Sequence, residues 1–315
     1  MSASNKISSV VTAAHTQCAE SQGHHEGHAA KGRAAFPVTP FACPRDFLLN
    51  RFVYVAVSAR ARGLSIGVNM NPDRHCNFDC VYCEVDRRTP SRDKVLDMPV
   101  MVEELQRTLD FVRSGAIHQL AGYAGLPPEL LELRHVALSG DGEPTLCPQF
   151  VEAVESVVHV RARGGIPFFK IVLITNGTGL DLEPVKKSLK LLTLTDEIWV
   201  KLDAGTQAYM DKVNRPQVSL EKILANILTL GRQRPVIIQS LFPMLDGKGP
   251  AESEIESCLE RLQGLKAGGA VISLVQIYSA TRPRAHAECG HLPLKSLSNI
   301  ARLIRTNTGL RAEVF

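Results

Sequence analysis

The stretch from Leu64 to Val85, LSIGVNMNPDRHCNFDCVYCEV, decides how the rest of the chain is read. Its first seven residues alternate, with Leu64, Ile66, Val68 and Met70 on one face and Ser65, Gly67 and Asn69 on the other. That pattern predicts a β-strand whose second face is small and polar. The strand runs into a loop that carries Cys76, Cys80 and Cys83 at the spacing Cys-x3-Cys-x2-Cys. Reactive side chains delivered just past the C-terminal end of a strand are the arrangement by which parallel α/β sheets build their sites.

Working outward, further strand-like runs rich in Val, Ile and Leu are expected at His135–Ser139, Lys170–Thr175, Glu197–Asp203, Val236–Phe242 and Val271–Tyr278. Helical stripes fall between them: Val102, Leu105, Leu109 and Val112; Leu220, Ile223, Leu224 and Ile227, with Ser219 as an N-cap; and Ile255, Cys258, Leu259 and Leu262. Six strands alternating with helices imply an α/β protein with a parallel sheet and right-handed crossovers. Periodicity alone admits an open doubly wound sheet or a partly closed barrel. A helix at Leu294–Arg305 and a short run Ala312–Phe315 end the chain. Residues 1–48 have no sustained period and end in Pro37, Pro40 and Pro44, so they are expected to form a flexible, poorly ordered N-terminal extension outside the core. The expected folded domain is 49–315, with the sheet at about 64–280 and the helix and short strand at 290–315.

The 315 residues are 44% hydrophobic and 22% charged, which excludes a wholly disordered, collagenous or membrane-spanning chain. A formal charge of +4, from 36 basic and 32 acidic residues, is too small over this length to imply nucleic acid by itself. No apolar run approaches the ~18 residues of a spanning helix, and the first residues have no secretory apolar stretch, so no membrane partner and a cytoplasmic location are expected. Residues 1–17 are rich in Ser, Ala and Thr but lack the arginines of a transit peptide. In a reducing compartment the eight cysteines read first as metal ligands.

Thiolates at the Cys76, Cys80, Cys83 spacing hold Fe-S clusters or zinc. A closed zinc shell needs a fourth ligand, and His75, adjacent to Cys76, is badly placed to supply it. Three thiolates on a four-iron cluster leave one iron open to a ligand. Polar groups recur at the ends of the following strands. The second ends in SGDGEPTL, where Gly142 allows close backbone approach and Glu143 offers an anionic acceptor. The third ends in Thr175-Asn176-Gly177, suited to ribose hydroxyls, and the fourth carries Lys201 and Asp203 on the face of Trp199, opposite Ile198, Val200 and Leu202. Gln239, Ser240 and Gln276 follow on the fifth and sixth. Charges on an inward strand face are expensive unless they pair or serve a ligand.

These features together resemble the radical S-adenosylmethionine (SAM) superfamily. More narrowly, SIGVNMNPDRHCNFDCVYCEV, SGDGEPTL, LITNG, VKLDAG, VNRP and VQIYSATRP resemble the branch containing the wyosine base synthases of tRNA and their uncharacterised relatives. The resemblance covers about residues 58–315 and implies a six-strand partial TIM-like barrel, a (βα)6 radical SAM core. It implies a [4Fe-4S] cluster on Cys76, Cys80 and Cys83, with SAM on the open iron. Tyr82 would lie against the adenine, Gly142 and Glu143 would receive the methionine amino group, and Thr175, Asn176, Lys201, Asp203 and Gln239 would approach the ribose or carboxylate, with Lys201 and Asp203 as catalytic candidates. The implied reaction is reductive cleavage of SAM to a 5′-deoxyadenosyl radical that abstracts a substrate hydrogen, with a flavodoxin- or ferredoxin-like electron donor as partner.

Only Cys18 and Cys43 precede Cys76, one short of the three cysteines that hold a second cluster in archaeal-type wyosine synthases. Cys147, Cys258 and Cys289 form no close pair; Cys258, on an apolar stripe, reads as a core residue, and Cys147 is expected to pack too. The basic segment Asp86–Lys94 could meet RNA phosphates or be a solvated loop. The tract Gly23-His24-His25-Glu26-Gly27-His28 reads as a solvated tail with adventitious metal affinity. Three alternatives stand: a radical SAM enzyme acting on a small molecule or peptide, a tRNA-modifying enzyme of the wyosine type, and a non-catalytic Fe-S or zinc-binding regulator.

Overall fold

The computed structural model describes residue 41 and residues 47–164, 168–281 and 289–315. The elements follow in the order β1 (Val53–Ser58), β2 (Gly63–Asn69), α1 (Met98–Arg113), β3 (Leu133–Ser139), α2 (Phe150–Ala162), β4 (Lys170–Thr175), α3 (Glu183–Leu189), β5 (Glu197–Lys201), α4 (Gln207–Val213), α5 (Leu220–Gly231), β6 (Val236–Leu241), β7 (Pro243–Leu245), α6 (Glu252–Ala267), β8 (Ile272–Tyr278), β9 (Cys289–His291), α7 (Leu294–Thr308) and β10 (Ala312–Val314). One eight-stranded sheet has the order β1-β2-β3-β4-β5-β6-β8-β10, and β7 pairs with β9 in a separate ribbon. Within the eight-stranded sheet of the described residues β1 runs antiparallel to β2 and every other pairing is parallel, while the β7–β9 ribbon is antiparallel.

Six strands were expected, and the sheet has eight. The six expected strands are β2, β3, β4, β5, β6 and β8, and the two additions lie at the edges. β10 is the terminal run seen in the sequence, here joined to β8 in register Val314 with Ile277. β1 was silent in the sequence for a physical reason. All but its last residue are buried, so it does not alternate, and its turn into β2, Ala59-Arg60-Ala61-Arg62, has no Asn-Gly or Asp-Gly signal. Arg62 itself takes the left-handed backbone, at φ 56°, and donates its N–H to the Ala59 carbonyl at 3.0 Å.

The sheet curls into a partial barrel. Its two edges approach each other where Arg62 on the β1–β2 turn pairs with Glu313 of β10 at 2.6 Å. The outer face and the helices form the main core, while Val172, Trp199 and Ile237 make a separate small apolar cluster with Ile174 and Leu274. Trp199 and Ile237 sit side by side in register on β5 and β6. This is the inward face that the alternation of Trp199 and Lys201 against Ile198 and Val200 anticipates.

The helices pack as their stripes predict. Leu105 and Leu109 of α1, Leu220, Ile223 and Ile227 of α5, and Ile255, Cys258, Leu259 and Leu262 of α6 are buried. Ser219 caps α5 by accepting the Lys222 N–H at 3.3 Å, and Asp97 caps α1 in the same way through Val100; each such cap is worth ~1 kcal/mol. The core begins at Phe47, two residues inside the segment assigned to the extension, because its ring packs edge-on against Phe111 and Tyr123 at 5.9 and 6.0 Å. Apart from Phe41 and Leu48, the rest of the expected extension, with the His-rich tract, Cys18 and Cys43, lies outside the described residues. Among the described residues no helix is long and apolar enough to cross a membrane.

Candidate functional site

The cysteine loop leaves the end of β2 and is fixed there by the neighbouring strand end. Asn69 accepts the Asp141 N–H at 3.0 Å and donates its Nδ2 to the Asp141 carboxylate at 2.9 Å, so the tip of β2 and the Gly-Asp-Gly turn after β3 hold each other. Gly142 then passes directly under the loop. A Cβ there would sit 1.9 Å from the His75 carbonyl oxygen, and the next N–H, that of Glu143, donates to the same oxygen at 3.0 Å. The glycine is required by close approach of two backbones.

Each of the three loop sulfurs receives an N–H donor. The Phe78 N–H donates to Cys76 Sγ at 3.4 Å, Asn214 Nδ2 to Cys80 Sγ at 3.5 Å, and an Arg87 guanidinium nitrogen to Cys83 Sγ at 3.6 Å. Hydrogen bonds of this kind stabilise thiolate charge and tune Fe-S sites. Burial pushes the Cys80 thiol up to about 12 and also raises Cys76, so in the protein alone these two keep their protons and a bound metal must displace them. Among the described residues no three His, Cys, Asp or Glu side chains are placed to hold one metal ion.

Glu143 is 2% exposed. One carboxylate oxygen accepts the Thr145 N–H at 3.1 Å and the hydroxyls of Thr145 and Thr175 at 2.6 and 2.5 Å, while the other accepts the Asn176 N–H at 2.7 Å. It therefore latches the β3 end to the β4 end. Burial raises its pKa even against those donors. With one bond on Oε2, that oxygen keeps acceptor capacity for a ligand. Asn176 donates to Asn77 Oδ1 at 2.9 Å, tying the β4 end back to the cysteine loop.

Lys201 and Asp203 were expected to meet a ligand or each other. They meet through Tyr82. The Tyr82 hydroxyl donates to Asp203, Lys201 Nζ donates to Tyr82 Oη at 3.3 Å, and no direct Lys201–Asp203 ion pair is present among the described residues. Asn214 Nδ2 also bonds Tyr82 Oη at 3.0 Å and Asp203 Oδ2 at 2.8 Å, and Asp203 Oδ1 accepts the Leu241 N–H at 2.8 Å. Lys201 reaches a second phenol, Tyr278, at 3.2 Å, and lies 4.7 Å above the Tyr82 ring. Burial opposes the Lys201 charge, but Tyr278, Asp203 and Cys80 outweigh it and hold the ammonium above its ordinary value.

All these strand ends open on one cavity of about 490 Å³, lined by the three loop cysteines, Tyr82, Gly142, Glu143, Thr175, Asn176, Lys201 and Gln239. Asp203 stands behind it, in contact with Tyr82. Cys147, Cys258 and Cys289 are buried and do not line it. Sequence reasoning missed Asn214, Tyr278 and Arg60. Asn214 and Tyr278 lie in the runs VNRP and VQIYSATRP, but neither run shows that its polar residue turns toward the cysteine loop or Lys201. In the basic segment much of the charge is satisfied internally: Arg88 pairs with Asp86 at 3.0 Å, and Arg74 binds the carbonyls of Asp86 and Thr89 at 2.7 and 2.5 Å.

Residues 70–262 match the model of the Radical SAM superfamily. The chain belongs to the radical SAM superfamily. Among curated proteins this radical SAM chain is 27% identical over 187 residues to a UPF0026 protein of Helicobacter pylori, covering 57% of this chain and 52% of that one. It is 29% identical over 185 residues to a UPF0026 protein of Synechocystis, covering 58% and 60%. The chain thus spans about half the length of the curated relatives it matches. Among solved structures it resembles a radical SAM methyltransferase from Sphaerobacter thermophilus, at 17% identity and TM-score 0.59, over 84% of this chain and 68% of that one. It also resembles SuiB of Streptococcus suis bound to S-adenosylmethionine, at 12% identity and TM-score 0.54 over 78% and 49%, and TYW1 with a lysine-pyruvate adduct, at 16% and 0.51 over 82% and 84%. At such identities the likeness carries the fold: an α/β partial barrel.

Proposed function

We propose that the chain is a radical SAM enzyme that holds a [4Fe-4S] cluster on Cys76, Cys80 and Cys83 and SAM beside it in the cavity. The bound pair would supply a 5′-deoxyadenosyl radical, formed with one electron from a flavodoxin- or ferredoxin-like donor, to take a hydrogen atom from a substrate. The observation that carries this reading is the convergence of three cysteine sulfurs, each with its own N–H donor, on a cavity that the ends of β3, β4 and β5 also line. A tetrahedral zinc would need its ligands about 2.0–2.3 Å from one point, whereas thiolates of a four-iron cluster each bind a different iron.

The chain's own residues do the positioning. Glu143 latches two strand ends and keeps Oε2 open to an ammonium group. Lys201 keeps a positive charge inside the barrel, braced by two phenols, where it can bind a carboxylate. Trp199 lines the cavity with apolar surface and packs with Ile237 and Val172 on the inward face. Substituting each cysteine by alanine in turn and measuring iron, sulfide and the ~400 nm absorption of thiolate-bound Fe-S tests the assignment. Loss of iron in Cys76, Cys80 and Cys83 variants, with full iron in Cys147, Cys258 and Cys289 variants, is expected; unchanged iron in Cys80→Ala would remove the cluster from this loop.

A further inference from the structure

The superfamily match covers 70–262, yet a side of the same cavity is built from residues outside it: Tyr54, Ser58, Arg60 and Ser65 from β1, β2 and their turn, and Tyr278 from β8. The shared segment holds the groups assigned above to cluster and SAM. The remainder is where this chain can choose what else it binds.

We infer that this side of the cavity takes a substrate carrying an oxyanion, a carboxylate or a phosphate, gripped by Arg60, with Gln239 of the same cavity as a second polar contact. Arg60 is half-buried, and its guanidinium lies 4.4 Å over the face of the Tyr278 ring. It makes no hydrogen bond or ion pair among the described residues, although its neighbour Arg62 is paired with Glu313. A guanidinium offers five N–H donors in a fixed fork, and a ring face accepts none of them strongly, so the fork is left for a ligand. Another cation of the cavity, Lys201, bonds two phenols and no carboxylate among the described residues.

The acidic side chains that line the cavity are Glu84, Asp141 and Glu143, all on the loops after β2 and β3, and the last residue, Phe315, lines it beside β8. His135, on that side, is neutral: burial, then Lys170 and Arg60, push it down to about 3, and Ser65 Oγ sits 2.8 Å from its Nε2. Among the side chains on this side Arg60 and Lys201 carry charge and His135 does not, a balance that favours an anion. Gln239, inside the matched segment and set beside SAM by the resemblance, supplies a second feature that does not depend on Arg60. It is fully buried, gives its Nε2 to Gln276 at 2.8 Å, and leaves its Oε1 without a partner. Buried acceptors are nearly always satisfied, so the orphan oxygen calls for an N–H or O–H of the bound molecule. That the bound molecule is the substrate rests on the radical SAM reading; that the cavity binds an oxyanion does not.

Trp199 is the single tryptophan of the chain, lines the cavity and stacks edge-on with His135 at 5.3 Å, so its fluorescence reports binding in the full chain without cluster or SAM. Glutarate, inorganic phosphate and the neutral glutaramide are the probes. Glutarate or phosphate should give a saturable change, whichever does so naming the source of the oxyanion, and glutaramide should give none. Arg60→Gln should weaken the binding about tenfold or more, as expected for loss of a charge-assisted contact, with an unchanged melting curve; Arg60→Lys should fall between. Equal binding of glutaramide, wild-type affinity in Arg60→Gln, or no saturable response up to about 10 mM, far above the range of a specific small-ligand site, would overturn the inference. SAM cleavage measured on the same preparation separates the two claims: cleavage without anion binding ends this inference alone, and Arg60-dependent anion binding without cleavage ends the radical SAM reading alone.

Discussion

Replacing Gly142 by alanine tests whether the docking of the β3-end turn under the cysteine loop is what shapes the site. The added methyl would lie 1.9 Å from the His75 carbonyl oxygen and 2.8 Å from its carbon. Neither is the far end of a flexible side chain, so one backbone must move. Overpacking of a well-packed site costs about 1–3 kcal/mol, and separating the strands of backbone also loses the hydrogen bond from the Glu143 N–H to His75, about another 1 kcal/mol. A loss of roughly 2–4 kcal/mol corresponds to a melting temperature lower by about 5–15 °C in a chain of this size. Because His75 precedes Cys76, the same shift misplaces a sulfur, and iron uptake falls. The control is Gly264→Ala within α6, where an added Cβ meets nothing within 4 Å; a helical glycine replaced by alanine should gain up to about 1 kcal/mol. Thermal melts of the metal-free protein and iron and sulfide content after anaerobic loading are the assays. A Gly142→Ala protein that melts with wild type and loads full iron would refute the reasoning.

Three other outcomes follow from the site. His135 has its pKa lowered by burial from 6.5 to about 3, so between those values the unfolded chain binds a proton that the folded chain does not; stability is intact above 6.5 and falls as pH drops, by about 2 kcal/mol from pH 7 to 5. His135→Gln should remove that part of the slope in urea melts, and an unchanged slope would show that the imidazole is not the group. Lys201→Met, which removes a charge bonded to Tyr82 and Tyr278, should leave the urea midpoint nearly unchanged while cutting 5′-deoxyadenosine yield at least about tenfold, the effect of losing about 1.4 kcal/mol or more; full yield would end its catalytic assignment. Glu143→Gln turns an NH2 toward donors that now bond a carboxylate, so about 2–4 kcal/mol of stability should be lost along with SAM affinity, and a wild-type urea midpoint would show that the latch carries no weight.

The inward and outward faces of the barrel were legible because parallel strands buried on one side and lined with polar groups on the other keep period two: Lys201, Trp199 and Glu143 are where alternation and strand ends put them. The cysteine loop was legible because three thiols at one spacing have few structural uses. What escaped the sequence depended on contacts between distant segments. β1 has no alternation because it is buried along nearly its whole length. Glu143 reads as a ligand acceptor in its motif, yet in space its oxygens are largely occupied by Thr145, Thr175 and Asn176. Asn214 joins Cys80, Tyr82 and Asp203 from 134, 132 and 11 residues away, and no local pattern encodes a meeting of that kind. Gly67 shows the same limit: a Cβ there would strike the Tyr54 ring at 2.1 Å, which places Tyr54 across β2 to reach Ser139 at 2.7 Å.

The central claim is that this cavity cleaves SAM reductively. The direct measurement is 5′-deoxyadenosine formed by anaerobically loaded protein with dithionite and SAM, in wild type and in Cys80→Ala, whose sulfur is the one bonded by Asn214. The account predicts 5′-deoxyadenosine and methionine in equal amounts from wild type and none above background from Cys80→Ala. Wild-type protein with a full complement of iron and sulfide that yields no 5′-deoxyadenosine, or a Cys80→Ala protein that yields as much as wild type, would contradict it.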